Sequence, residues 1–198
     1  VVHDITLHKS AENHARLQAI TDPLTQVRNR LGFEAMLNDR LRSDDVGGFA
    51  LMMLDLDGFR RVNEGYGLPA GDALLKNLTG RLRGDIKARD CLARLSADRF
   101  VIALFSVEGK RETEAIAERL LNAARPTFHV AGVSIQVHAS IGVTQYPTDG
   151  LSTADLLRNA ELALDEAKKE GGNRYRHYDN RMAEAAESRL QLEADLRH

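Results

Sequence analysis

The chain is poor in features that would point to several classes of protein. It has one cysteine, Cys91, among 198 residues, which excludes an internal disulfide and a thiolate metal cluster and fits a reducing compartment. It has no long apolar run. The longest, Phe49 to Leu54, covers six residues, where a membrane-spanning helix needs about 20, and no signal-peptide pattern opens the chain. No excess of charge exists either: 27 Lys+Arg against 29 Asp+Glu leave a formal charge of −2, without the steering field of a dedicated nucleic-acid binder. The expectations are a cytoplasmic protein with no nucleic-acid partner and no membrane contact. Fixed-period repeats are absent, as is a Gly-x-x-x-x-Gly-Lys-Ser/Thr loop, and Gly65 to Gly71 misses the dinucleotide-binding fingerprint in spacing and position. The Asn77-Leu78-Thr79 sequon carries no weight without a secretory signal.

What is present is the material of one globular domain, with 43% apolar residues. Residues 4 to 20 are polar with spaced apolar positions and read as a helix entering from something upstream. Asp22-Pro23 then punctuates the chain. Phe33, Leu37 and Leu41 predict a helical stripe ending before a turn at residues 44 to 48. Phe49 to Leu54 is continuous and apolar, as in a strand buried on both faces. A short helix near Phe59 to Glu64 and a helix carrying Leu74, Leu75, Leu78 and Leu82 follow. Strands at Cys91 to Leu95 and Arg99 to Phe105 flank a tight turn. Ile116 to Ala124 is helical. Strands at Phe128 to Ala131 and Val133 to Tyr146 meet at a hairpin turn on Gly132. The stripe from Leu156 to Ala167 is a helix closed by Gly171-Gly172, and Arg174 to Tyr178 is a last strand. This order predicts an α/β (α+β) fold, a sheet covered by helices. Residues 180 to 198 favour helix by propensity and read as a linker leading out.

Asp55 and Asp57 stand where the apolar strand runs into a glycine turn. A carboxylate at a buried strand end is costly unless it is paired or bound to a cation, and such hard oxygen ligands suit Mg²⁺ with phosphate oxygens completing its shell. Each could equally cap a turn. Asp98, in the turn Ser96-Ala97-Asp98, is a turn former when taken alone. Taken with Asp55 it makes a two-carboxylate Mg²⁺ site able to neutralise a triphosphate. Asn63 and Asp72, on either side of the Gly-rich turn, could read a purine edge or could cap helices. Cys91 reads as core, and His129 and His138 are too far apart to argue a metal pair.

Asp22-Pro-Leu-Thr25, Asn29-Arg30, Leu54-Asp-Leu-Asp57-x-Phe59, Val62-Asn63, Gly71-Asp72-x-Leu74-Leu75, Arg94 to Phe100, Ala139-Ser140-Ile-Gly142-Val, Asn159-Ala160-x-x-Ala163-Leu164 and Ala167-Lys168 together resemble the GGDEF (diguanylate cyclase) domain, over residues 21 to 179. The resemblance implies a central, mostly antiparallel sheet wrapped by helices, related to the palm of nucleotidyl cyclases and polymerases. It implies condensation of two GTP into cyclic di-GMP across a homodimer. It also implies Mg²⁺ or Mn²⁺, taken up with nucleotide, at Asp55, the Leu56 carbonyl and Asp98. Asn63 and Asp72 match the guanine-reading pair, and Phe59, Arg60 and Lys168 match positions near the phosphates.

The signature itself departs from the family. In place of Gly-Gly-Asp/Glu-Glu-Phe stands Ser96-Ala97-Asp98-Arg99-Phe100. Two added Cβ atoms predict strain in the turn, and Arg99 replaces an acid beside the metal position. Gly172 stands where many members have a phosphate-contacting arginine. The family's product-inhibition site aligns with Lys87-Ala88-Arg89-Asp90, and lysine cannot give arginine's bidentate contact, so loss of that site at Lys87 and Asp90 is expected. Residues 1 to 20 resemble the exit of a PAS sensor, and residues 180 to 198 resemble the connector into an EAL phosphodiesterase domain. Three readings remain open: a degenerate domain that binds GTP–Mg²⁺ and regulates a neighbour, a weakly active cyclase, and a structural or dimerisation module without nucleotide.

Overall fold

A computed structural model describes residues 17–43, 46–105, 107 and 109–195. The expected entry helix therefore lies outside the described residues up to position 16. So do positions 44 and 45 of the expected turn and the last three residues of the expected exit linker; residues 17–20 are helical.

Asn29 starts helix α1 (Arg30–Leu41) by accepting the Gly32 amide, and Phe33 and Leu37 bury its apolar face. Strand β1 (Phe49–Asp57) is buried along nearly its whole length, as its unbroken apolar sequence demands. It is followed by α2 (Phe59–Tyr66), α3 (Leu68–Gly84), β2 (Cys91–Ser96), β3 (Arg99–Phe105) and α4 (Gly109–Ala124). Then come β4 (Phe128–Val130), β5 (Val133–Ile135), β6 (His138–Tyr146), α5 (Thr153–Lys169), β7 (Tyr175–His177) and α6 (Asn180–Asp195).

The sheet runs β2-β3-β1-β6-β7. Its β2–β3, β3–β1 and β1–β6 pairs are antiparallel, and β7 lies parallel to β6. This is the helix-covered sheet that the element order predicted, and the mostly antiparallel one that the family resemblance implied. Strand period two splits β1 between two cores. Ala50, Met52, Leu54 and Leu56 join the leucines of α3 and α4. Phe49, Leu51 and Met53 face α1 and α5 with Phe33, Leu37, Leu156 and Leu164.

One expected strand is two. The segment from Val133 to Tyr146 breaks after Ile135 because its first part pairs with β4 in a separate hairpin, and the chain then changes partner to join β1 from His138. The hairpin turn lies on Ala131 and Gly132, both at positive φ (49° and 77°), as a two-residue turn of that hand requires. Cys91 begins β2 half-buried, at the margin of the core, and burial pushes its thiol up.

This arrangement gathers the carboxyl end of β1 between β3 and β6. Asp55 lies opposite Arg99 on one side and Ser140 on the other. Among the described residues, no helix is long and apolar enough to cross a membrane.

Candidate functional site

Asp55 is 5% exposed at the end of β1. A carboxylate buried that deeply needs partners, and it has three. Lys168 of α5 places its Nζ 2.9 Å from Asp55 Oδ2. Arg99, the first residue of β3, places Nη2 3.3 Å from the same oxygen. Asp98, in the β2–β3 turn, shares a hydrogen bond with it. Burial opposes ionisation of Asp55, but the hydrogen bond from Asp98 and the Lys168 and Arg99 cations outweigh it and hold the carboxyl below its usual range. Asp98 goes the other way. Its own burial, the hydrogen bond to Asp55 and the Asp55 charge push it up to about 7, so protonation of the pair is favoured at Asp98 over Asp55.

Arg99 is divided. Its Nη1 donates to Glu161 on α5 while Nη2 reaches Asp55. Glu161 has no place in the sequence reading. The signal that finds it is helical spacing: Glu161 and Lys168 are seven residues apart on α5, two turns along one face, so whatever Lys168 faces, Glu161 faces too.

The turn that presents Asp98 is tied down from behind. Arg94 donates from Nε to the Ala97 carbonyl and from Nη1 to both carboxylate oxygens of Asp22, at 3.1 and 3.2 Å. Asp22 also accepts from the Thr25 amide and hydroxyl. Despite the opposing effect of burial, these bonds hold its carboxyl below the ordinary value. The strain expected at Ser96 and Ala97 is not found. The non-glycine residues at positive φ among the described residues are Gln26, Ala131 and Asn173, and both side chains of the turn are exposed, so the added Cβ atoms stand in open backbone regions.

Asp57, two residues beyond Asp55, is spoken for structurally. It accepts from the Ser140 hydroxyl at 2.8 Å and the Asn173 amide at 2.9 Å. This also accounts for Gly172. That residue sits at φ +71°, and a Cβ on it would lie 2.8 Å from Asp57 Oδ2, so a larger side chain there would be strained and crowded against the carboxylate.

A second group of predicted residues gathers at α2 and α3. Gly71 is buried, and a Cβ on it would come within 1.9 Å of Asn63 Oδ1 and 3.2 Å of the Phe59 ring. The missing side chain is thus what lets Asn63 and Phe59 lie over α3. Asn63 Oδ1 is buried without a hydrogen-bond partner among the described residues, and Asp72 is exposed on the following position of α3. Helix α2 opens on Gly58 with no side-chain cap, leaving first-turn amides as an anion-attracting end.

The remaining predicted residues stand as follows. Leu56 is buried in β1 opposite Ala139. Arg60 is exposed and pairs with Glu64 along its own helix, at 2.7 Å, not with Asp55. Asp90 accepts from the Lys87 and Phe105 amides, and Lys87 Nζ reaches Glu112, so this pair closes the turn into β2. His129 is bonded to Ser134 on the small hairpin, and His138 begins β6.

The oxygen donors expected for a divalent cation are Asp55, the Leu56 carbonyl and Asp98, but with its present partners the Asp55 carboxylate does not fit one. Asp55 already holds two side-chain cations, and no three potential ligands of the His, Cys, Asp and Glu type gather among the described residues.

Comparison with known proteins places the chain in a family and matches its fold. The family model described as "Diguanylate cyclase, GGDEF domain" matches residues 19–174. The bifunctional diguanylate cyclase/cyclic di-GMP phosphodiesterase MucR of Pseudomonas aeruginosa is 35% identical over 185 residues, 90% of this chain and 26% of that protein. The cyclic di-GMP phosphodiesterase NbdA of the same organism is 34% identical, over 93% of this chain and 24% of its own length. The solved GGDEF domain of TpbB (YfiN), also from Pseudomonas aeruginosa, superposes with a TM-score of 0.80 at 27% identity, covering 84% of this chain and 99% of that one. The chain thus spans about a quarter of the length of the curated relatives it matches.

Proposed function

The chain belongs to the GGDEF family of diguanylate cyclase domains, and from that premise we propose that it is a guanine-nucleotide-binding regulatory module without cyclase turnover. The observation that carries the reading is the buried, unpartnered Oδ1 of Asn63 over Gly71, beside Asp72. A buried acceptor left without a donor is costly. Guanine offers two donors on one edge, its ring N–H and its amino group, which suit two side-chain acceptors. The uncapped start of α2 and the cations Lys168 and Arg99 supply positive ends for phosphates.

The absence of turnover is proposed from Arg99. Family catalysis needs two nucleotides neutralised by metal at the signature turn, and here a guanidinium is paired with the buried metal-position carboxylate Asp55. Magnesium or manganese is the cofactor that family membership implies. The output is proposed to lie in a neighbouring domain of the parent protein, an EAL-type cyclic di-GMP phosphodiesterase, with a PAS-like sensor upstream and a homodimer as the assembly. Two relatives with phosphodiesterase in their names, each about four times the length matched here, support that placement.

The test is to incubate concentrated protein with GTP and Mg²⁺, separate bound from free nucleotide and identify every species by chromatography. Bound, unchanged GTP is expected. Cyclic di-GMP that disappears in Asp98→Ala would make this an active cyclase instead, and no bound nucleotide would make it a structural module.

A further inference from the structure

The ion cluster around Asp55 goes beyond an obstacle to a metal. Arg99 and Lys168 converge on one carboxylate oxygen from two directions, one from β3 and one from α5. Neither is exhausted by that contact. An ammonium has three N–H donors and a guanidinium five. Lys168 is seen with one acceptor, Asp55, and Arg99 with two, Asp55 and Glu161. Each cation can therefore bridge from the protein carboxylate to a further anion, which is the geometric service a divalent ion performs between an aspartate and a phosphate.

Glu161 matters to this arrangement because it sets where Arg99 stands. An arginine paired only with Asp55 would be free to swing in a half-open site. Held at its other arm by an acid on a packed helix, it stays fixed at the end of β1. Against this, a dication entering at Asp55 would meet two positive charges already in place, at a position screened from bulk water.

Resting on the nucleotide-binding reading above, we propose that Arg99 and Lys168 take the place of the divalent cation, so that the domain holds a guanine nucleotide's phosphates without metal. Glu161 is the positioning residue for Arg99.

The experiment is titration calorimetry of GTP into the protein, in excess EDTA and again in excess Mg²⁺. The expected result is a Kd that differs by less than about threefold between the two, below the effect of one charge-assisted contact. In Arg99→Glu, binding should become dependent on Mg²⁺ by more than about tenfold. In Arg99→Lys, which keeps the charge, independence should persist, and this separates a charge effect from damage to the fold. Glu161→Gln should weaken binding in EDTA in the wild-type background and have no effect beside Arg99→Lys, whose shorter, unforked side chain does not span both acids. Binding by the wild type in Mg²⁺ but not in EDTA would overturn the inference and leave the nucleotide reading intact. Binding in neither would overturn that reading and the inference with it. Metal-independent binding by Arg99→Glu would show that Arg99 has no such part.

Discussion

The two ends of the candidate site are built on opposite plans. At the α2–α3 end, a buried acceptor on Asn63 is left without a donor, packed into the space that Gly71 leaves by having no side chain. At the strand end, the charges close on themselves: Asp55 with Lys168, Arg99 and Asp98, and Arg99 in turn with Glu161. An unsatisfied buried polar atom costs stability that only a ligand restores, whereas a closed ion cluster is content at rest and must be opened or extended by whatever binds. The comparison teaches that the two ends of one site can be satisfied independently, so a changed charge at one end leaves the polar groups of the other as they are.

The strongest way to break that contrast is to displace Asn63 at the α2–α3 end. Gly71→Val puts side-chain atoms where Asn63 and Phe59 lie. It should destabilise the domain by about 1–3 kcal/mol through overpacking and abolish stabilisation by GTP in thermal melts. A variant that still gains stability from GTP would mean that the nucleotide base is not read there.

Next in size is the support of the closed end. Arg94→Ala removes both the Asp22 pair and the bond to the Ala97 carbonyl. The expected loss is about 2 kcal/mol by urea denaturation, since partly buried acceptors lose a charged donor. A change within about 0.5 kcal/mol, the range of ordinary surface substitutions, would show that the turn does not depend on this tether.

Asn63→Ala sharpens the comparison by separating stability from recognition. Because its buried Oδ1 has no partner to lose, urea midpoints should hold or rise, while GTP affinity measured by calorimetry falls about tenfold, as when one recognition contact is removed.

A further effect is the pH dependence that the closed end contributes. Asp98 has its proton affinity raised from 3.8 to about 7 by folding. Between those values the native state binds more protons than the unfolded chain, so the Asp98 contribution to stability falls as pH rises through that window and is level outside it. Asp22 and Asp55, shifted downward, contribute the opposite slope, at pH values below the ordinary carboxylate range. Comparing urea midpoints at pH 5 and pH 8, Asp98→Asn should lose the share of the fall that Asp98 contributes, against the background set by Asp149 and His177. An unchanged fall in the variant would place its origin elsewhere.

Much of the fold was legible because it is written locally. The run from Phe49 to Leu54 could only be a strand covered on both faces, and the leucine stripes of α3 and α5 could only be helices packed on it. The break after Ile135 was not legible. Both pieces have strand-like sequences, and only the position of β4 and β1 as partners decides where one ends. At the site, Asp55, Asp98 and Lys168 were named and are brought together, whereas Arg60 was named and instead pairs with Glu64. A neighbour four residues on in an exposed helix competes for such a side chain, and alignment to a family position carries no information about that competition.

By itself, then, the sequence determined the family, the order of the elements, the faces they bury and the substitution of Arg99 for an acid. These follow from periodicity and from residue types at fixed local spacing. Only the tertiary structure decided which charges answer one another. Arg99 and Glu161 are 62 positions apart, and Asp22 and Arg94 are 72. Asp57 binds an amide 116 positions away, which is what holds Gly172 to glycine. A side chain's partner is set by distance in space, and in a sheet whose neighbours are β2-β3-β1-β6-β7, distance in space bears little relation to distance along the chain.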